Sequence, residues 1–154
     1  MKFQERIFKT CEIRIPIKGM KLEIPIKPSV RMPHELKPVA YQPEFLDEMQ
    51  EPLYYMYRNI WSLNPECDKL CKEYDLRYDI TVIRNGLIGD EFIKTLGHFH
   101  ERIKEKNVTY PELYEVISGR AFFLIQKIDG SDFQIITAKE GDHAYIPYLS
   151  LIHI

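Results

Sequence analysis

The chain has 154 residues, and 21 lysine and arginine residues against 23 aspartate and glutamate residues give it a net charge of −2. This length fits one domain, and the balance of charges excludes a polybasic nucleic-acid-binding module. No apolar run reaches the roughly 20 residues that cross a bilayer, so we expect a cytoplasmic protein with no membrane or nucleic-acid partner. Three cysteines, an odd number, fit a secreted disulfide framework poorly, and we expect them to be reduced.

The first third of the chain is rich in proline. Seven of the ten prolines precede Leu53, and long helices are excluded there because proline fixes φ and removes a backbone donor. Residues 11–17 and 20–26 alternate apolar and polar side chains, as short strands or extended arms do. Residues 44–50 are compatible with a short helix. We therefore predict an extended N-terminal arm over residues 1–50.

The middle of the chain contains the best helix signal. Residues 53–61 are aromatic enough to favour a strand. Asn64 is then followed by Pro65 and by acidic residues, an order typical of a helix N-terminus with Asn as the cap. The sequence thus predicts one well-defined helix that begins after Asn64.

Short strands with turns between them dominate the remainder. Residues 76–84 and 87–94 flank Asn85-Gly86, which is the strongest short hairpin signal. Further strands are predicted at residues 113–117, 121–128, 133–137 and 144–147. This pattern indicates an all-β fold, an antiparallel sandwich or barrel with one or two short helices. We expect a single domain over residues 1–154, with the barrel in residues 51–154.

Two histidines separated by one residue are the first feature with chemical content. His98 and His100 project to the same face of a strand, where two imidazoles can bind one ion. Glu112 lies at the start of the next predicted strand, whose return can bring its carboxylate opposite the imidazoles. Two neutral nitrogens and one anionic oxygen suit a divalent first-row metal with open coordination positions. The alternative interpretation is two surface histidines that precede a charged loop.

The order of these residues resembles the two motifs of the cupin superfamily, small β-barrels that carry a metal inside the barrel. Six residues separate Glu112 from Gly119, and five separate Gly141 from Pro147. Residues 50–147 more closely resemble the archaeal-type cupin glucose-6-phosphate isomerases. The matching segments are Asp79-Ile80-Thr81, Thr95-Leu96-Gly97-His98-Phe99-His100, Pro111-Glu112-Leu113-Tyr114, Gly119 and Gln126. This resemblance implies a cupin-type antiparallel β-barrel, also called a double-stranded β-helix.

The resemblance also implies a set of functional residues. His98, His100 and Glu112 would bind one divalent ion (Fe, Mn, Ni or Zn). If an enediol forms during isomerisation, Glu112 is the expected catalytic base; the alternative is a direct hydride shift between the two carbons, and the sequence does not choose between them. The residues implied for the sugar-phosphate pocket are Thr81, Thr95, Gly97 and Tyr114. Hydroxyl groups and a backbone amide can donate to phosphate oxygens without a P-loop. Apart from the resemblance, the two threonines are ordinary β-branched strand residues, and Tyr114 fits core packing equally well.

Other residues compete for the ligand positions. Glu105 fits the general cupin spacing, but it lies among lysine and arginine in a polar loop, so we favour Glu112. The family has a fourth ligand, a histidine after Pro147, to which His153 corresponds most nearly, one residue late. A shift of one residue turns a strand side chain to the other face, so His153 can bind the ion only if a bulge restores the register. His143, in a predicted turn, is a poorer candidate.

The resemblance implies a metal-dependent aldose–ketose isomerase that interconverts glucose 6-phosphate and fructose 6-phosphate in glycolysis or gluconeogenesis. It also implies a homodimer. The family continues past the position where this sequence ends, so the C-terminal segment is atypical or truncated relative to it, and the fold is more firmly implied than the activity. Two other classes fit the same donors: a non-catalytic cupin binding module and a metal-dependent dioxygenase.

Overall fold

A computed structural model describes Ile15 and residues 17–154, and strands predominate among them. The strands are β1 (Ile17–Lys18), β2 (Lys21–Leu22), β3 (Ser29–Arg31), β4 (Tyr54–Tyr57), β5 (Ile80–Ile83), β6 (Leu87–Ile88), β7 (Glu91–Phe92), β8 (His98–Phe99), β9 (Glu112–Glu115), β10 (Arg120–Lys127), β11 (Phe133–Lys139), β12 (His143–Ile146) and β13 (Ser150–His153). The helices are α1 (Pro33–Leu36), α2 (Pro65–Glu73) and the 3₁₀ helices Lys37–Val39, Pro43–Asp47 and Ile60–Leu63. The expected predominance of strands with few helices is confirmed.

The hydrogen-bonded strands of the described residues form separate sheets and no closed barrel. The chain divides into two compact units, one ending at Ile93 and the other spanning Lys94–Ile154.

The first unit is organised around β4, the central strand of the sheet β3-β4-β5. All four residues of β4 are buried, and successive side chains point to opposite faces. Tyr54 and Met56 pack in one apolar cluster, and Tyr55 and Tyr57 in another. The aromatic run 53–61 is therefore a strand in its first half only. It ends where Asn59 adopts a left-handed backbone (φ 54°), before the 3₁₀ helix that follows.

The helix predicted after Asn64 is confirmed as α2. The Asn64 side chain accepts hydrogen bonds from the amides of Glu66 and Cys67, at 3.0 Å and 3.3 Å, and Pro65 occupies the first turn. These contacts satisfy two of the backbone donors that a helix N-terminus leaves without intrahelical partners. The cap thus fixes the point at which the chain enters the helix.

Removing this cap lowers the stability of the fold. Replacing Asn64 by alanine leaves two amides without their acceptor, and we expect the free energy of unfolding to fall by about 1 kcal/mol. Urea denaturation measures the change through its midpoint. The control N64D keeps an acceptor oxygen and should remain close to the parent. An N64A midpoint equal to that of the parent would show that the cap contributes nothing.

The hairpin predicted at Asn85-Gly86 is wrong. β5 pairs with β4 instead of β6, and β6 pairs with β7, Leu87 lying opposite Phe92. The turn falls at Gly89-Asp90, where Gly89 has a φ of 60° and the Asp90 amide donates to Gln42 Oε1 at 2.8 Å. β5 pairs with β4 despite the turn signal at Asn85-Gly86, because packing against β4, which is buried on both faces, outweighs a local turn preference.

The second unit carries the larger strands in two sheets, one with the order β11-β10-β13-β8 and the other formed by β12 and β9. The hairpin of β10 and β11 around residues 129–131 is as predicted. Both sheets contribute to one apolar cluster: Phe123, Ile125 and Ile152 come from the larger sheet, and Ala144 and Ile146 from the smaller. Side chains that point inward from either sheet therefore meet in the same interior.

Several other expectations have partial outcomes. Most of the strand predicted at residues 11–17 lies outside the described part of the chain, as does Cys11. From the proline-rich segment, Leu36 and Leu46 are buried in the core of the first unit. Reduced thiols are confirmed for Cys71, which is buried and free, but the expectation is wrong for Cys67, which is disulfide-bonded. Among the described helices, none has the length and apolar character needed to cross a membrane.

Candidate metal centre

The HxH motif begins in β8, the edge strand of the four-stranded sheet: His98 lies in the strand, and His100 directly follows it. β8 pairs with β13 so that His98 lies opposite Ile152. Residues directly opposite each other in antiparallel strands share a face, so His98 lies on the face that carries the buried Ile152. The ring centroids of His98 and His100 are 5.3 Å apart. The two imidazoles are therefore neighbours, as their spacing predicts.

Glu112 reaches the histidines from the other sheet. It lies on β9 opposite Ile146 of β12, which is fully buried, so the carboxylate faces the interior of the unit. Glu112 Oε2 lies 3.0 Å from His100 Nε2. One ligand atom from each of His98, His100 and Glu112 lies within 4.8 Å of the other two. The sequence predicts this group on neighbouring strands, whereas the fold assembles it from two sheets that share a core.

Hydrogen bonding fixes the orientation of His100. Its Nδ1 lies 2.7 Å from the carbonyl oxygen of Tyr110, and since a carbonyl only accepts, Nδ1 is the donor. Nε2 then faces the Glu112 carboxylate within a side chain that is only 6% exposed. A carboxylate oxygen and Nε2 can meet at this distance through a shared proton, which makes an imidazolium, or through a shared cation. Metal-binding histidines are commonly oriented in this way, by a backbone carbonyl that accepts a hydrogen bond from the other ring nitrogen.

The spacing of the donors also suits a cation. Two ligand atoms each about 2.1 Å from one ion, at a right angle to each other, are about 3.0 Å apart, and this is the distance between His100 Nε2 and Glu112 Oε2. Imidazole nitrogen and carboxylate oxygen together are typical ligands of divalent first-row metals. The three residues present therefore fit a divalent ion.

The charge state of Glu112 is set by its neighbours. Burial raises the pKa of the carboxyl, but hydrogen bonds from His100 and Tyr114, together with the charge of both imidazoles, outweigh burial and hold the pKa below its ordinary value. The Tyr114 hydroxyl donates to Oε2 of Glu112, and its ring packs against Phe123 with centroids 5.2 Å apart. Glu112 is therefore ionised at neutral pH, the state in which a carboxylate binds metal.

The residues predicted for the substrate pocket have different surroundings. Tyr114 contacts the group formed by His98, His100 and Glu112, because its hydroxyl donates a hydrogen bond to Glu112. Thr95 is buried and pairs with Ile154, and Gly97 lies against the ring of His153. Thr81 is exposed on β5 in the first unit. The structure thus brings Tyr114 to the group and places Thr95 and Gly97 in contact with the C-terminal strand.

The competing ligand candidates lie apart from the group. Glu105 is exposed in the turn after His100, where it has a φ of 63°. His143 is exposed on β12 opposite Glu115. His153 lies opposite Leu124 without a bulge in the pairing of β13 with β10, and alternation therefore places it on the other face from Ile152 and His98. Among the described residues, the group of potential ligands consists of His98, His100 and Glu112.

One contributor to the site has no signal in the sequence. The carbonyl of Tyr110 orients His100, and every residue type carries such a carbonyl. It reaches this position because the chain between His100 and Glu112 folds back on itself, with Arg102 bridged to Thr109. Only the path of the backbone shows that position 110 lies beside the ring.

These features define a class of protein: a strand-rich chain in which two histidines and a carboxylate, held by two sheets with a common core, form a group able to hold a metal ion. Residues 30–154 match the sequence model of the family described as Glucose-6-phosphate isomerase (GPI). The chain belongs to this glucose-6-phosphate isomerase family.

Individual relatives agree with the family match. A glucose-6-phosphate isomerase of Pyrococcus furiosus is 34% identical over 76 residues, which are 49% of this chain and 37% of that protein. The isomerase of Thermococcus litoralis is 33% identical over a stretch with the same coverage. That of Thermococcus onnurineus is 26% identical over 144 residues, which are 88% of this chain and 69% of the relative. The chain thus aligns with well under half the length of the first two relatives.

Proposed function

We propose that the chain is a metal-dependent aldose–ketose isomerase that interconverts glucose 6-phosphate and fructose 6-phosphate. The observation that carries the proposal is the convergence of His98, His100 and Glu112 in a chain that matches the isomerase family over residues 30–154. The two sheets of the second unit belong, in this proposal, to a cupin-type barrel. A homodimer in the cytoplasm, as the family resemblance implies, is part of the same proposal.

The reaction moves one hydrogen between C1 and C2 of the open-chain sugar phosphate. A divalent ion held by His98, His100 and Glu112 would polarise the oxygens on these two carbons. His100 is held in place by the Tyr110 carbonyl, and Glu112 by the Tyr114 hydroxyl. The protein residues thus contribute a preorganised set of donors that need not rearrange when the sugar binds.

Two routes move the hydrogen, and they require different things of Glu112. In the first, Glu112 removes the C2 proton and an enediol forms. In the second, the hydrogen passes with its electron pair from C2 to C1, while a proton passes from the C2 hydroxyl to the C1 oxygen. Binding to a cation lowers the basicity of a carboxylate, so Glu112 would serve poorly as a base while it holds the ion. The proposal therefore takes Glu112 as ligand and follows the second route.

Isomerisation in deuterated water distinguishes the routes. A base that removes the C2 proton exchanges it with solvent in part of the turnovers, whereas a direct transfer carries the original hydrogen to C1. We expect proton NMR of the product to show little deuterium on carbon. Deuterium incorporated in a large share of the turnovers would assign Glu112 the role of base.

The Tyr114 hydroxyl supports the site through Glu112, so its removal should weaken metal binding. In Y114F, Glu112 loses a donor that holds its carboxylate ionised and in place. Loss of such an outer partner costs about 10- to 100-fold in metal affinity, and we expect a loss of about tenfold, measured by calorimetric titration with Mn(II). Y145F is the matched control, since Tyr145 is 56% exposed on the neighbouring strand. Equal affinity in Y114F and Y145F would remove Tyr114 from the site.

Metal removal and replacement test the proposed function as a whole. The chain is stripped with a chelator, dialysed, and assayed without oxygen for conversion of fructose 6-phosphate into glucose 6-phosphate, detected with a coupled dehydrogenase. Fe(II), Mn(II), Ni(II) and Zn(II) are added back separately. We expect the stripped chain to be inactive and at least one metal to restore turnover. A fully loaded chain without isomerase activity, or a stripped chain as active as the loaded one, would refute the proposal.

A further inference from the structure

Gly97, the residue before the first histidine of the motif, lies against the ring of His153. A Cβ at position 97 would overlap Nε2 and Cε1 of this ring, closer than Cβ atoms approach other atoms in proteins. Gly97 is not among the glycines with positive φ, so the backbone here is open to other residues. A side chain added at position 97 would therefore displace the His153 ring.

The backbone around this contact is tied to the end of β13. The Thr95 amide donates to the main-chain oxygen of Ile154 at 2.7 Å, and the Ile154 amide donates to the Thr95 hydroxyl at 3.0 Å. His153 Nδ1 lies 3.4 Å from the Thr95 carbonyl oxygen. Contacts to residues 153 and 154 thus hold the chain on the N-terminal side of His98.

The strand that carries His98 depends on β13 for its place in the sheet. β8 contains two residues, and within the described sheet it pairs with β13 alone, Ile152 lying opposite His98. The His153 ring lies one residue further along β13, on the opposite face from the metal group. A ring packed there cannot reach the ion without a change of register, but it can fix the register that brings His98 to it.

We infer that His153 is a positioning residue for the metal group formed by His98, His100 and Glu112. Its ring fills the space above Gly97 and fixes the register of β8 against β13. This register holds His98 and His100 beside Glu112. The inference rests on the proposed function, because it assumes that this group binds the ion. It assigns to His153 a role different from the fourth ligand that the sequence suggests, since its contacts are with Thr95 and Gly97.

A double-mutant cycle at positions 97 and 153 tests this role. In G97A the new methyl group displaces the ring, and we expect the Mn(II) affinity of the chain, measured by calorimetry, to fall at least tenfold. In G97A/H153A the methyl group occupies the vacated space, and most of the affinity should return. H153L, which keeps bulk but offers no ligand nitrogen, should bind Mn(II) within threefold of the parent. H153A is the second single variant of the cycle, and non-additivity of the four affinities reports coupling between the two positions.

The outcomes separate the roles. If G97A binds Mn(II) like the parent, or if G97A/H153A binds no better than G97A, the positioning role is refuted. If H153L loses as much affinity as H98A, His153 is a ligand instead. Amide hydrogen exchange of the metal-free chain, followed by NMR, gives a readout independent of the ion. We expect the Thr95 amide to exchange at least tenfold faster in G97A and to recover in G97A/H153A, and unchanged rates would contradict the inference. If the parent itself binds no Mn(II), the proposed function fails, while the exchange rates still decide the role of His153.

Discussion

Replacing His98 by alanine is expected to abolish tight metal binding while the chain remains folded. His98 supplies one of three donors, and loss of a direct ligand should exceed the 10- to 100-fold cost of losing an outer partner, so we expect the Mn(II) affinity to fall by at least about 100-fold. His98 is exposed, and substitutions of exposed residues usually change stability by about 0.5 kcal/mol or less. Calorimetric titration measures the affinity, and thermal unfolding of the metal-free chain measures stability.

His143 provides the matched control for this experiment. It is also an exposed histidine on a strand of the second unit, and it lies outside the metal group. H143A should bind Mn(II) as the parent does. Equal affinities of H98A and the parent would place the binding site elsewhere, and an H98A chain that fails to fold would be replaced by H98Q, which keeps a polar side chain at the same position.

Replacing Glu112 by glutamine should remove both the metal and the isomerase activity. Glutamine keeps the size of the side chain but loses the negative charge that two imidazoles and the Tyr114 hydroxyl surround. A neutral amide is a much poorer ligand of divalent first-row metals. We expect the Mn(II) affinity to fall by about 100-fold or more, since a direct ligand is lost, and turnover in the coupled assay to fall in proportion to the bound metal.

Glu105 is the control for Glu112, because the two compete for the same role in the sequence. E105Q changes an exposed turn residue outside the group, and it should retain affinity and activity. The reverse result, with E105Q inactive and E112Q active, would assign the ligand role to Glu105.

An assay of E112Q at excess Mn(II) separates loss of metal binding from loss of a catalytic group. Turnover restored by excess Mn(II) would show that Glu112 acts only as a ligand.

How much of the site follows from the sequence depends on the range of the interaction. The pairing of His98 with His100 follows from strand alternation alone, and the helix after Asn64 follows from its cap, because both are local. Glu112 could be preferred over Glu105 because Glu105 lies among lysine and arginine in a polar loop. The arrival of Glu112 from a second sheet could not be predicted, since it depends on how β9 pairs with β12.

Strand pairing also decides two positions that local patterns leave open. Asn85-Gly86 carries a strong turn signal, yet the turn falls at Gly89-Asp90 because β5 pairs with the buried strand β4. His153 has the residue type of a ligand, but its register against β10 and β8 turns it to the other face. In both cases strand pairing, a long-range property, decides where the residue lies.

Anomalous diffraction from crystals of the chain grown with Mn(II) tests the central claim most directly. We predict one strong peak within about 2.0–2.3 Å of an imidazole nitrogen of His98, of Nε2 of His100 and of a carboxylate oxygen of Glu112. A peak at other residues would contradict the account. So would the absence of a peak at saturating Mn(II), with these three side chains turned away from one another.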